Sequence, residues 1–65
     1  MTKQVEGHQL PVERRMELFQ AVVELQDTGV DTVVTRRRVA KQFGVTERDV
    51  RRIEEEGLQE EWPPL

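Results

Sequence analysis

From Val12 to Leu25 the apolar residues fall on two adjacent rows, Val12, Met16, Phe19 and Val23 on one and Leu18, Val22 and Leu25 on the other. Spacing by threes and fours is that of one buried helical face. The pattern predicts a helix beginning at Leu10-Pro11, where proline suits the first turn because its missing N–H would have no partner anyway. Thr28-Gly29 should close it, since glycine readily takes the left-handed conformation that satisfies the last carbonyls. At about 17 residues and 1.5 Å each, this helix would be roughly 25 Å long.

The next stretch, Val30 to Thr35, reads two ways. Val33-Val34 are β-branched, and Asp31 and Thr35 are both credible N-caps. From Thr35 onward, Arg36 to Phe43 forms a short helix that buries Val39, Ala40 and Phe43, and Gly44-Val45 turns the chain. Thr46 is the expected N-cap of a third helix, with Glu47 and Asp49 in its first turn, where negative charge suits the helix dipole. That helix buries Val50 and Ile53 and is expected to end at Gly57, with Leu58 beyond the cap touching Ile53. The class predicted is all-α: a three-helix domain in residues 10–58, a flexible polar lead-in in 1–9, and an acidic tail in 59–65 ending Trp62-Pro63-Pro64-Leu65. Trp62 is expected to fold back over the core, because one Trp can bury about 150–250 Å² and a small domain is short of area. A free polyproline-like ligand is the alternative.

Composition narrows the chemistry. The chain has 65 residues, one His, no Tyr and no Cys, so disulfides, thiolate metal sites and thiol catalysis are excluded. A chain this short buries only about 60% of the surface its unfolded form exposes, which leaves stability marginal. His8 has no second His or Cys with which to share a metal, no carboxylate pair stands out as catalytic, and no Gly-rich phosphate loop occurs. Neither an enzyme nor a metal or other cofactor is expected. Met1 to Gln9 lack the apolar stretch of a signal peptide, and no run approaches the roughly 18 apolar residues of a membrane span. A cytoplasmic protein with no membrane association follows as the expectation.

The second and third helices carry the side-chain pattern that a helix-turn-helix needs. Ala40 is the small residue where the two helices nearly touch, Gly44 fits the sharp turn, and Val39, Phe43, Val45, Val50 and Ile53 occupy interior positions. An ordinary helical hairpin would show some of these features. The charges discriminate: the chain as a whole is −3, but residues 36–52 hold seven basic side chains against two acidic ones, +5, while residues 1–35 sum to −3 and residues 53–65 to −5. The basic block lies on the two helices that, in this motif, face the DNA backbone and the major groove. Counterion release responds to that local potential rather than to the global balance.

From Val39 to Leu58 the sequence VAKQFGVTERDVRRIEEEGL resembles the C-terminal promoter-reading helix-turn-helix of bacterial sigma factors, through Phe43-Gly44-Val45-Thr46, the Val50-Arg51-x-Ile53-Glu54 core and Leu58. The resemblance covers about a third of the chain, and related helix-turn-helix families share most of its apolar skeleton. It implies that the residues just after the capping Thr and those one turn later meet bases and phosphates: Glu47 and Arg48, then Arg51 and Arg52. Departures are plain. Glu47-Arg48 stands where the family typically has Arg-Glu, Arg51-Arg52 where it has Arg-Gln, and Arg36 where an apolar residue is usual, so that Val33 or Val34 would supply that contact. Glu54-Glu55-Glu56, Glu60 and Glu61 replace a basic end. A −35 promoter specificity therefore does not carry over.

Three Glu in the last turn oppose the helix dipole. The i,i+4 pairs on offer, Arg51 with Glu55 and Arg52 with Glu56, run in the weaker order. Local helix stability does not account for this run; solubility, contact with a basic partner, or competition for Arg36 to Arg38 remain as readings.

The function expected is sequence-related binding of double-stranded DNA in transcription or its regulation. Arg36, Arg37, Arg38 and Lys41 would hold phosphates, and Thr46, Glu47, Arg48, Arg51 and Arg52 would approach base edges. A lone module makes few contacts, so a homodimer or larger assembly is expected. The rival expectation is a protein-interaction module that keeps the sigma-like fold to contact RNA polymerase or another transcription protein.

Overall fold

Helix α1 (Val12–Asp27) starts directly after Pro11, which stands at the N-cap with φ −57° and ψ 153°. Its solvent face is polar and its inner face buries Leu18, Phe19 and Val22, with Met16, Val23 and Leu25 packed partly beneath. Val12, at the start of the predicted row, is 42% exposed. Gly29 takes φ +87°, donating to the Gln26 carbonyl at 3.0 Å while Val30 N–H donates to that of Leu25 at 3.1 Å. This is a Schellman ending at the predicted glycine. The structure is a computed structural model describing residues 10–64, so the lead-in 1–9, His8 and Leu65 lie outside the described residues.

Helix α2 (Thr32–Phe43) settles the ambiguous start in favour of Asp31, whose carboxylate accepts from the Val33 N–H at 3.0 Å. Thr35 is inside the helix and fully buried, its hydroxyl donating to the Val30 carbonyl at 3.4 Å. Val39 and Ala40 are buried as expected, whereas Phe43 is half-buried, its open side covered by the Arg14 guanidinium 4.3 Å from the ring centroid. Gly44, at φ 68° and ψ 34°, ends α2, and Val45, fully buried, pins the turn.

Helix α3 (Glu47–Gln59) opens on a reciprocal capping box: Thr46 Oγ1 accepts from the Asp49 N–H at 3.0 Å and Asp49 Oδ2 accepts from the Thr46 N–H at 3.2 Å. Its far end corrects the expectation. The helix runs through Gly57 to Gln59, and Leu58 is 60% exposed rather than packed on Ile53. Gly57 is buried inside the helix because the Phe19 ring occupies the space a Cβ would take. The Schellman ending comes four residues later, with Glu61 at φ 53° donating to the Leu58 carbonyl and Trp62 to that of Gly57 at 3.0 Å. That turn swings Trp62 into the core, edge-on to Phe19 with centroids 6.0 Å apart.

Three helices and no strand make up the described residues, a small all-α domain in which each helix packs against the other two. No helix among them is long and apolar enough to cross a membrane.

Candidate nucleic-acid interface

At about 100° per residue, the buried stripe of α2 runs through Thr35, Val39, Ala40 and towards Phe43, which turns Arg37, Arg38 and Lys41 to the opposite side, where all three are exposed. The buried stripe of α3 runs through Val50, Ile53 and Gly57, leaving Arg48, Arg51, Arg52 and Glu55 outward and exposed. Gly44, Val45 and Thr46 alone connect the two helices. Arg37, Arg38, Lys41, Arg48 and Arg52 form no ion pair among the described residues, and Arg51 has only a loose one with Glu55 at 3.9 Å.

Thr46 has the capping role that the sequence predicts, and Arg36 is the one of the nine candidate residues that is employed differently. Thr46 is the cap of α3, its oxygen engaged by Asp49, with the hydroxyl hydrogen left as a donor. Arg36 does not join the outward cations. It lies on the inward stripe of α2, where Nε donates to Glu54 Oε2 of α3 at 2.8 Å. Val33, 54% exposed, does not take over the core contact at that position; position 36 keeps its inward orientation, and Glu54 neutralises the charge placed there.

The acidic run of α3 is accounted for residue by residue. Glu54 reaches α2, Glu55 faces outward near Arg51, and Glu56 reaches α1, where its carboxylate accepts from Arg15 Nε and Nη2 at 3.0 and 3.1 Å. Glu56 thus pairs with Arg15 rather than with Arg52. The Arg15–Glu56 pair is bidentate, a geometry among the stronger charge-assisted bonds, and together with the single Arg36–Glu54 bond it offsets the unfavourable placement of these carboxylates against the helix dipole. Arg15 was missed in the sequence, although a signal was present: it is three and four residues before Leu18 and Phe19, in phase with the core stripe. A cation in that phase calls for a carboxylate from a neighbouring helix.

Elsewhere, an open depression of about 180 Å³ lies between α1 and α3, lined by Phe19, Val22, Val23, Gln26, Glu54 and Leu58. Its one carboxylate is Glu54, already held by Arg36. Among the described residues no cluster of His, Asp or Glu could hold a metal ion. Comparison with protein-family models, with curated proteins and with solved structures finds no match to this chain.

Proposed function

We propose that this chain is a DNA-binding helix-turn-helix protein of the cytoplasm, sigma-like in its second and third helices, that acts in transcription or its regulation. The observation carrying the reading is the sorting of charge: on α2 and α3 every cation without a carboxylate partner among the described residues faces outward, on both sides of the Gly44 to Thr46 turn. In this reading Arg37, Arg38 and Lys41 hold backbone phosphates, with the Thr46 hydroxyl as a further donor. Arg48, Arg51 and Arg52 approach the major groove, where the arginine fork matches guanine O6 and N7, and Glu47 can accept from cytosine N4. Of the carboxylates that would repel phosphates at the end of α3, Glu56 and Glu54 are drawn aside by Arg15 and Arg36.

A salt titration tests the reading. Three phosphate ligands predict a slope of log affinity against log salt of about −3, at roughly −0.9 per phosphate. Arg51→Ala should weaken binding to a selected duplex by about 1–3 kcal/mol, the value of one good base contact. Absence of binding at low salt would refute the proposal and favour the rival module, which contacts RNA polymerase or another transcription protein instead.

A further inference from the structure

Arg36 stands where an apolar side chain is expected, and Glu54 reaches it from the edge of the buried stripe of α3. Arg36 falls within the stripe formed by Thr35, Val39, Ala40 and Phe43, and Glu54 flanks the one formed by Val50, Ile53 and Gly57. They meet at 2.8 Å with side chains only 31% and 14% exposed. On the opposite flank of α3, Glu56 is gripped by Arg15. Between the two flanks, Gly57 lets the Phe19 ring approach the helix backbone. The apolar contacts beneath α3 attract without direction; a short charge-assisted hydrogen bond has a direction. Of the two such pairs, only the Arg36–Glu54 bond links α2 to α3.

Resting on the DNA-binding reading, we propose that Arg36 and Glu54 form a positioning strut that sets the angle of α3 against α2, making Glu54 a specificity determinant and removing Arg36 from the phosphate ligands. Base readout needs side chains held to within about 0.5 Å and 10–20° of their productive geometry. Arg51 and Arg52 sit three and two residues before Glu54, so a roll of α3 that breaks the strut carries their guanidinium groups off the base edges. Phosphate contacts made from α2 do not move with it. Loss of the strut therefore lowers discrimination between sequences and leaves non-specific affinity intact. The competing use of the same pair has the opposite sign: if Glu54 merely shielded a phosphate-binding Arg36, removing its charge would tighten non-specific binding.

The test uses the full chain to enrich duplexes from a randomised library, then compares affinity for the enriched duplex and for random-sequence duplex. Wild type, Glu54→Gln and the reversed pair Arg36→Glu/Glu54→Arg are measured at a temperature where circular dichroism shows each folded. The strut predicts that Glu54→Gln loses about tenfold in the enriched-to-random ratio, with random-duplex affinity and salt slope unchanged, and that the reversed pair restores the ratio to within about twofold. A steeper slope and tighter random-duplex binding by Glu54→Gln overturns the proposal, as does an unchanged ratio. Should Glu54→Gln not fold, the reversed pair carries the test alone: a slope shallower by about 0.9 marks Arg36 as a phosphate ligand and overturns the strut. A wild type that binds no duplex overturns the DNA reading and the strut's role together, whereas failure of the strut alone requires a wild type that binds.

Discussion

In the first half of α3 the charged side chains of Arg48, Arg51 and Arg52 face solvent over an apolar underside of Val50 and Ile53, whereas in the second half Glu54 and Glu56 reach sideways to Arg36 of α2 and Arg15 of α1. The difference follows from what lies beneath. Val50 and Ile53 fill the space under the first half, so the helix is held there by burial and its charges can point away. Gly57 contributes no side chain to the core, and the second half is held by the Phe19 ring against its backbone and by an ion pair on each flank. The opening of the helix is fixed by a third device, the Thr46–Asp49 capping box. One thirteen-residue helix thus has an outward basic half and a largely tethered acidic half, and the tethers keep Glu54 and Glu56 away from the outward cations, while Glu55 stays beside Arg51.

Four substitutions probe this contrast. Gly57→Ala strikes the tethered half hardest: the added methyl collides with the Phe19 ring, and overpacking should cost about 1–3 kcal/mol, outweighing the roughly 1 kcal/mol that alanine gains in helix propensity. Thermal denaturation should show a lower Tm; a higher one would mean that the ring moves aside freely. Arg15→Met removes one flank of the tether. Its side chain is 20% exposed and that of its partner 37%, so the loss should lie between the values for exposed and buried pairs, about 1–2 kcal/mol in urea denaturation. Thr46→Ala removes the hydroxyl that accepts from the Asp49 N–H, leaves the backbone N–H bond to the Asp49 carboxylate, and should cost about 1 kcal/mol, visible as fraying of the first turn in amide exchange. Arg48→Ala, in the outward half, should change stability by less than about 0.5 kcal/mol while lowering duplex affinity. A stability loss as large as that of Arg15→Met would erase the distinction between the halves.

Much of the fold is legible in apolar spacing and punctuation. Leu18, Phe19 and Val22 announce the inner face of α1, Gly29 and Gly44 end their helices in left-handed conformations, and Thr46 caps α3. These features are local, decided by residues within one or two turns. Gly57 misleads for the same reason: locally it looks like a terminator, but its role is set by Phe19, thirty-eight positions away in sequence. The true terminator, Glu61, adopts φ 53° without being glycine because the turn it makes delivers Trp62 to the core. In the candidate site, the exposure of Arg37, Arg38, Lys41, Arg48, Arg51 and Arg52 follows from helical phase. The same phase places Arg36 inward, but its partner Glu54 is eighteen residues on, and no local pattern pairs them. The three consecutive Glu that look unfavourable in an isolated helix become intelligible only once α1 and α2 lie on either side.

On the proposed reading, the outward faces of α2 and α3 form one DNA-binding surface. Amide chemical shifts of the full chain, followed while random-sequence duplex is added at low salt, test it most directly. Such a surface should give shifts concentrated in residues 37–41 and 46–52, abolished as salt is raised, with the outer face of α1 unaffected. No shifts at all, or shifts concentrated on α1, would contradict it.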